Sequence, residues 1–345
     1  MANLTTHYLG LELRNPIIVS SCELTDSLEN VKQMEEAGAG AVVLKSIFEE
    51  QIVFESDSFI DSTDTLLGPM KKGLQDILLN RSYDYIEAMD YMTNFAKEHT
   101  LNEYLIFIKL LKANVKIPII ASINCVSAYD WSFFSKRIQE AGADAIELNI
   151  FILPSDVSKS AADYDEMYKK IIADVKQYVS IPISLKLSYY SSSLVKTFID
   201  LSKMGIAGMV LFNKPYNPDI NIDLVEVATG KIFSSSNDYA RSLRWTALLS
   251  GRVDCDLAAS TGVKSSETVV KMLLAGSTAV QVASVLYEKG IEEISNLVTG
   301  LNDWMDVHSF KTIDEFRGKL SQINLENPAV FERVQFMKSF AKIGG

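Results

Sequence analysis

One phrase recurs along this chain, and it restricts the fold more than any other feature. Ala37-Gly38-Ala39-Gly40-Ala41-Val42-Val43-Leu44 reads like Ala141-Gly142-Ala143-Asp144-Ala145-Ile146-Glu147-Leu148. Met204-Gly205-Ile206-Ala207-Gly208-Met209-Val210-Leu211 and Ala275-Gly276-Ser277-Thr278-Ala279-Val280-Gln281-Val282 repeat it. Each time a helix-patterned stretch ends near the first glycine and a short apolar run follows. The glycine suits the left-handed residue that closes a helix. The run suits a strand buried on both faces. A second phrase alternates with the first: Lys116-Ile117-Pro118-Ile119-Ile120-Ala121-Ser122-Ile123 resembles Ser180-Ile181-Pro182-Ile183-Ser184-Leu185-Lys186-Leu187. Here proline opens the strand, where no ladder donor is lost.

This punctuation predicts strands near 17–21, 41–46, 118–124, 145–150, 183–188, 207–213, 255–260 and 278–284. Helices are expected near 27–37, 83–113, 130–141, 163–179, 192–204, 240–251, 265–275 and 288–305. Eight strands alternating with helices predict an α/β fold, a (β/α)8 TIM barrel. A doubly wound sheet is the alternative, but no G-x-G-x-x-G follows the first strand. The whole chain, 1–345, reads as a single barrel domain. It carries a long insertion after strand 2, about 47–117, and a C-terminal helical extension, about 309–345. The insertion holds Glu49, Glu50, Glu55, Asp57, Asp61 and Asp64, then a tyrosine-rich helical stretch. Long loops after barrel strands usually shape the site. In the extension, Thr312 and Glu315 have capping-box spacing, and Asn327-Pro328 pairs an N-cap with an N1 proline. Two closing helices are expected there.

Composition narrows the function classes. Apolar residues at 48% and charged residues at 22% describe a globular chain. A net charge of −11 disfavours a nucleic-acid footprint. Cys22, Cys125 and Cys255 lie too far apart for a disulfide framework or a zinc knuckle. His7, His99 and His308 are equally scattered, so no metal site is expected. Met1 to Tyr8 lacks a leader pattern, and no apolar run approaches the ~18 residues of a membrane span. A cytoplasmic protein with a small-molecule substrate and a second copy of itself as partner, a homodimer, is the expectation.

In a barrel of this kind the site lies at the C-terminal ends of the strands. Those ends carry Ser20-Ser21-Cys22, Lys45-Ser46, Asn124-Cys125, Glu147 and Asn149, Lys186, Asn213-Lys214, Ser260-Thr261-Gly262 and Ala283-Ser284. Amides, hydroxyls and lysines converge there without a histidine. Such a lining suits a polar heterocycle or a phosphorylated ligand, since asparagine offers a donor and an acceptor and lysine neutralises an anion. Thr261-Gly262 with Ala283-Ser284 occupies the usual place of a phosphate cradle. The bland readings are turn residues for the asparagines, solvated strand ends for the lysines and small buried residues for the cysteines. Arg241, Arg244 and Arg252, around Trp245, read as surface pairing.

At this point the sequence resembles the class 1 dihydroorotate dehydrogenases. The resemblance rests on Tyr8-Leu9-Gly10-Leu11-Glu12-Leu13-Arg14-Asn15-Pro16-Ile17, Lys45-Ser46, Glu147-Leu148-Asn149-Ile150, the Lys186 strand, Asn213 and Ser260-Thr261-Gly262-Val263. A dihydroorotate dehydrogenase-like branch is matched further by Phe48-Glu49-Glu50-Gln51-Ile52, Leu211-Phe212-Asn213, Leu243-Arg244-Trp245, Leu249-Ser250-Gly251-Arg252 and Asn327-Pro328-Ala329-Val330-Phe331-Glu332-Arg333. The resemblance implies an FMN-dependent barrel oxidoreductase of the pyrimidine-biosynthesis type. It implies flavin contacts from Ser20, Ser21, Lys45, Ser46, Asn124, Asn149 and Lys186. It implies substrate contacts from Lys45, Asn149 and Asn213, and a phosphate held by Thr261, Gly262, Ala283 and Ser284.

The departures are as specific as the matches. The family's base loop reads Asn-x-Ser-Cys-Pro-Asn, whereas this chain has Asn149-Ile150-Phe151-Ile152-Leu153-Pro154. Ile152 stands at the catalytic cysteine and cannot take a proton; the nearest polar candidates are Ser155, Ser158 and Tyr164. Thr261 and Ala283 replace phosphate-loop glycines. Three readings follow: an FMN oxidoreductase whose substrate need not be dihydroorotate, a Schiff-base aldolase using Lys186 or Lys45, and a ligand-binding barrel without catalysis.

Overall fold

The computed structural model describes residues 2–48, 100–124 and 128–332. The chain opens with a hairpin, β1 (Thr6–Tyr8) and β2 (Leu11–Leu13). The next strands are β3 (Ile17–Val19), β4 (Ala41–Val43), β5 (Ile47–Phe48), β6 (Ile119–Asn124), β7 (Ala145–Ile150), β8 (Ile183–Leu187) and β9 (Gly208–Leu211). A second hairpin, β10 (Asp219–Asn221) with β11 (Glu226–Ala228), precedes β12 (Asp256–Ala259) and β13 (Ala279–Val282). The helices are α1 (Leu28–Glu36), α2 (100–114), α3 (Ala128–Ala141), α4 (Ala161–Lys176), α5 (Leu194–Ser202), α6 (Tyr239–Leu249), α7 (Ser266–Ala275), α8 (Ser284–Lys289) and α9 (Glu293–Val307).

The pairing runs β4-β3-β13-β12-β9-β8-β7-β6, all parallel, and β4 returns to β6. That last pairing closes the sheet into a (β/α)8 barrel and removes the doubly wound alternative, which would leave two open edges. The repeated phrases behave as their chemistry requires. Gly38, Gly142, Gly205 and Gly276 have φ of 104°, 96°, 77° and 112°, each just after a helix. Pro118 and Pro182 give no N–H to the ladder, but their carbonyls accept from Val42 N–H at 3.1 Å and Ile146 N–H at 3.0 Å.

Strand alternation then sorts the side chains. Ala121, Ile123, Ile146, Leu148, Leu185, Leu187, Val280 and Val282 join the large core shared with the helices. Their neighbours Ser122, Glu147, Ser184, Lys186 and Gln281 are equally buried but polar, and they fill the barrel interior. Below them the first hairpin plugs the N-terminal end. Tyr8, Leu9 and Leu13 pack there with Ile18, Val43, Ile120, Val210, Ala258 and Ala279. Leu9 N–H donates to Asp256 Oδ2 at 2.8 Å, which fixes the plug to β12. Leu9 and Gly10, at φ 58° and 75°, form the tight turn.

Three features depart from the sequence expectation. The second barrel strand is broken into β4 and β5, because Ser46 turns its hydroxyl inward to Ser21 and Ser122 while Lys45 turns outward to Glu23. The stretch after Asn213 contains the β10–β11 hairpin, which pairs Ile220 with Val227 and leaves Ile220, Ile222, Val225 and Val227 at 69–87% exposure. Beyond α9 the helical extension consists, through residue 332, of 3-10 turns at Ile313–Glu315, Gln322–Asn324 and Pro328–Val330. Neither Thr312 nor Asn327 caps its turn through the side chain, and Glu315 instead accepts from Lys311 N–H at 2.6 Å. The acidic stretch Glu49, Glu50, Glu55, Asp57, Asp61 and Asp64, like Cys125 and Arg333, lies outside the described residues. Among the described residues, no helix is long and apolar enough to cross a membrane.

Candidate active site

The C-terminal end of the barrel holds a cavity of about 160 Å³ that opens to solvent. Lys186, Ser20 and Gln281 form its inner end; Asn213, Lys214 and Phe212 line one side; Ser234, Thr261, Gly262, Ala283 and Ser284 form the far end.

The inner end is a closed polar network. Lys186 on β8 is 6% exposed and Glu147 on the adjacent β7 is 1% exposed. The Lys186 ammonium donates to Ser20 Oγ at 2.8 Å and to Gln281 Oε1 at 3.1 Å, and it lies 3.4 Å from Glu147 Oε1. Gln281 Nε2 donates to Glu147 Oε2 at 2.6 Å, and Ser20 Oγ donates to Gln281 Oε1 at 3.0 Å. The two buried charges are paired, and Glu147 Oε1 faces the ammonium without taking a hydrogen bond.

A second chain of polar side chains crosses the mouth of the barrel. Ser46 Oγ lies 3.0 Å from Ser21 Oγ and 2.7 Å from Ser122 Oγ. Asn149 Nδ2 reaches Ser46 Oγ at 3.5 Å, and Asn213 Nδ2 donates to Asn149 Oδ1 at 2.7 Å. Asn149 and Lys186 are direct partners in the β7–β8 ladder, so they rise into the mouth side by side.

The far end is made of backbone. Gly262 has φ 78°, and a Cβ there would lie 2.3 Å from the Tyr239 nitrogen, so the position admits only glycine. Gly262 N–H donates to Ser234 Oγ at 3.2 Å, and Ser234 Oγ in turn donates to Ser284 Oγ at 3.0 Å. Thr261 also takes a positive φ, 76°, and its hydroxyl is anchored on Phe212 O at 2.8 Å. A threonine therefore holds the left-handed conformation that a glycine would supply without strain.

The sequence-predicted residues are thus only partly gathered. Ser20, Ser21, Lys186, Asn213, Thr261, Gly262, Ala283 and Ser284 line the one cavity. Ser46 and Asn149 adjoin it through hydrogen bonds. Lys45 is on the other side of the chain from Ser46: its ammonium is 2.6 Å from Glu23 Oε2 and 3.8 Å from Asp26 Oδ2. Asn124 ends β6 opposite Phe48, outside the cavity lining. Gln281, Ser122 and Ser234 were not singled out from sequence, and Glu147 was noted only as a strand-end residue. The signal for three of them was a polar residue at every second position of an apolar strand.

The loop after β7 offers little proton chemistry. The Ile152 side chain packs against the core, and its carbonyl accepts from Ser188 Oγ at 3.2 Å. Phe151 and Leu153 are exposed. Ser158 Oγ donates to Asp156 Oδ1 at 2.6 Å, within its own turn. The Tyr164 hydroxyl is buried without a hydrogen-bond partner and faces a separate cleft lined by Pro154, Lys159, Tyr168 and Tyr190. The described thiols are not activated. Burial pushes Cys22 up despite N–H contacts from Leu24 and Thr25, and burial with Asp256 and Asp254 pushes Cys255 up to about 12. Arg241 stacks over Tyr189 at 3.9 Å and Arg252 donates to Gln322 at 2.6 Å, both structural contacts. Among the described residues, no cluster of His, Cys, Asp and Glu could hold a metal ion.

Comparison with known proteins adds a lineage. Residues 3–305 match the family model described as dihydroorotate dehydrogenase. A dihydroorotate dehydrogenase B (NAD(+)) catalytic subunit of Thermoplasma acidophilum is 24% identical over 322 residues, covering 92% of this chain and 99% of the relative. Its counterpart in Pyrococcus abyssi is 22% identical, covering 91% and 98%. The NAD-dependent dihydropyrimidine dehydrogenase subunit PreA of Escherichia coli is 22% identical, covering 92% of this chain and 76% of the relative.

Proposed function

The chain belongs to the dihydroorotate dehydrogenase family, and we propose that it is an FMN-dependent dehydrogenase acting on a small polar substrate other than dihydroorotate. The supporting observation is the continuity of one cavity from a buried ammonium to a glycine cradle. Its donor set fits an elongated ligand with a polar ring at one end and a phosphate at the other. Lys186, Ser20 and Gln281 offer donors and acceptors to a ring edge. Gly262 holds a left-handed turn that a Cβ would drive into the Tyr239 backbone, and the Ser284 hydroxyl, which accepts from Ser234, keeps its own proton to donate to an anion.

When bound, FMN would supply the two-electron acceptor for substrate oxidation. The chain's own residues do the rest. Lys186 places a positive charge at the inner end. Asn149 and Asn213, already bonded to each other at 2.7 Å, present amide groups to the substrate at the mouth. Ile152, half-buried against the core, cannot accept a proton, which favours a substrate whose oxidation needs no base there. The aldolase alternative requires an amine free to attack a carbonyl, whereas Lys186 and Lys45 are both engaged by carboxylates.

The test is reconstitution. Purified protein incubated with FMN should show an absorbance band near ~450 nm that survives gel filtration. Colourless protein that takes up no flavin would overturn the proposal. The same reading includes a second copy as partner, supported by the exposed apolar face of Ile220, Ile222, Val225 and Val227. Sedimentation velocity of Ile222→Asp against the unaltered chain tests that part, the expected result being a shift from dimer to monomer.

A further inference from the structure

Inside the barrel, the Lys186 ammonium meets two hydrogen-bond acceptors and one carboxylate oxygen. An ammonium has three N–H groups, and it has three neighbours: Ser20 Oγ, Gln281 Oε1 and Glu147 Oε1. Gln281 is oriented by the charges on either side of it. Its carbonyl oxygen faces the ammonium and its amide faces the carboxylate; the opposite orientation would aim N–H donors at a cation. Glu147 thus touches Lys186 directly and again through Gln281. A cation so placed is held in one position, and its field at the cavity is offset by an anion 3.4 Å away.

We propose that Glu147 and Gln281 are positioning residues for Lys186: they fix the ammonium at the inner end of the cavity and, through the Glu147 charge, set how much positive potential a bound ring meets there. The inference rests on the FMN reading above and adds the residues that tune it. Ser20 Oγ belongs to the cavity wall and accepts from Lys186, so the network reaches the ligand through that hydroxyl as well as through the ammonium. The polarity of the effect is fixed by the chemistry. A reduced flavin carries more negative charge than an oxidised one, so an undiluted cation favours the reduced form. The Glu147 carboxylate opposes that preference.

The experiment is a reduction-potential measurement on FMN-loaded protein, by equilibration with reference dyes. Glu147→Gln keeps the shape and removes the charge. It should raise the ratio of reduced to oxidised flavin about tenfold at a given poise, or about 30 mV for a two-electron couple. Lys186→Met should lower the potential. If Glu147→Gln fails to fold, Glu147→Asp keeps the charge but withdraws it by one methylene, and a smaller rise of the same sign is expected. A loss of thermal stability with no shift in potential in either Glu147 variant would reduce the residue to a structural role and overturn the inference. Failure of the unaltered chain to take up FMN would overturn the functional reading beneath it, and is seen before any variant is made.

Discussion

The Lys186 ammonium and the Glu147 carboxylate face each other from adjacent strands, Nζ to Oε1 at 3.4 Å, with side chains only 8% and 1% exposed. The pair is the charged centre of a polar barrel interior that also holds Ser122, Ser184 and Gln281. Such a pair contributes little net stability when whole and a large penalty when halved, because the surviving charge has no water to turn to.

Lys186→Met is therefore expected to destabilise the protein by about 3–5 kcal/mol, whereas Lys186→Met combined with Glu147→Leu should recover most of that loss. Urea denaturation of the two variants measures it. A Lys186→Met midpoint equal to that of the unaltered protein would show that the ion pair is not formed.

Gly262→Ala should remove flavin uptake. The added Cβ would come within 2.3 Å of the Tyr239 nitrogen and would also sit at φ 78°, so the loop has to move and take the cradle with it. Strain of this kind costs roughly 1–3 kcal/mol. Flavin fluorescence quenching on titration provides the readout, and wild-type affinity in the alanine variant would remove Gly262 from the binding site.

Dihydroorotate should bleach the bound flavin slowly or not at all under anaerobic conditions. Its oxidation needs a proton removed from carbon, and by the family resemblance Ile152 stands where the cysteine base is expected. The loss of a general base lowers rates by about 10²–10⁴-fold. Ile152→Cys should gain bleaching if the loop keeps its course. Rapid bleaching by the unaltered enzyme would point to another base.

Asp256→Asn should raise the melting temperature at pH 7. Burial lifts the Asp256 carboxyl above its ordinary value, only partly opposed by the Leu9 N–H, Arg317, Thr278 and His7. The folded protein therefore holds this proton more tightly than the unfolded chain. The carboxyl favours folding at low pH, and that contribution is lost as pH rises through its unfolded and then its folded value. Asparagine avoids the loss and keeps an oxygen for Leu9 N–H. The gain should close as pH falls through the carboxylate range; a constant difference would mean that titration of Asp256 is not its source.

Much of the barrel was legible because its punctuation is backbone chemistry. Gly38, Gly142, Gly205 and Gly276 mark helix ends for a local reason, and Pro118 and Pro182 mark strand starts for another. The outward turn of Lys45 was hidden, since the break between β4 and β5 depends on Glu23 and on Ser122, residues distant in sequence. The β10–β11 hairpin was missed because a long loop was expected there, although Asp219-Ile220-Asn221-Ile222 alternates as an amphipathic strand does. Gln281 sat within a recognised strand and was overlooked as one polar residue in an apolar run. Its partners come from β7, β8 and the end of β3, and only the closed barrel brings them together.

The plug at the base of the barrel has a kinetic consequence. Leu9 bonds to Asp256, 247 positions later, and Thr6 reaches the Thr278 carbonyl, 272 positions later. An early stretch of the chain thus waits for a much later one before it has a partner. Until then Tyr8, Leu9 and Leu13 have no barrel floor to cover, and the half-built sheet keeps both edges exposed. Contacts this distant in sequence slow folding. A chain with this layout is most vulnerable to aggregation in the interval before β13 is made, when the N-terminal hairpin and the unpaired edge of β3 are both available to other chains.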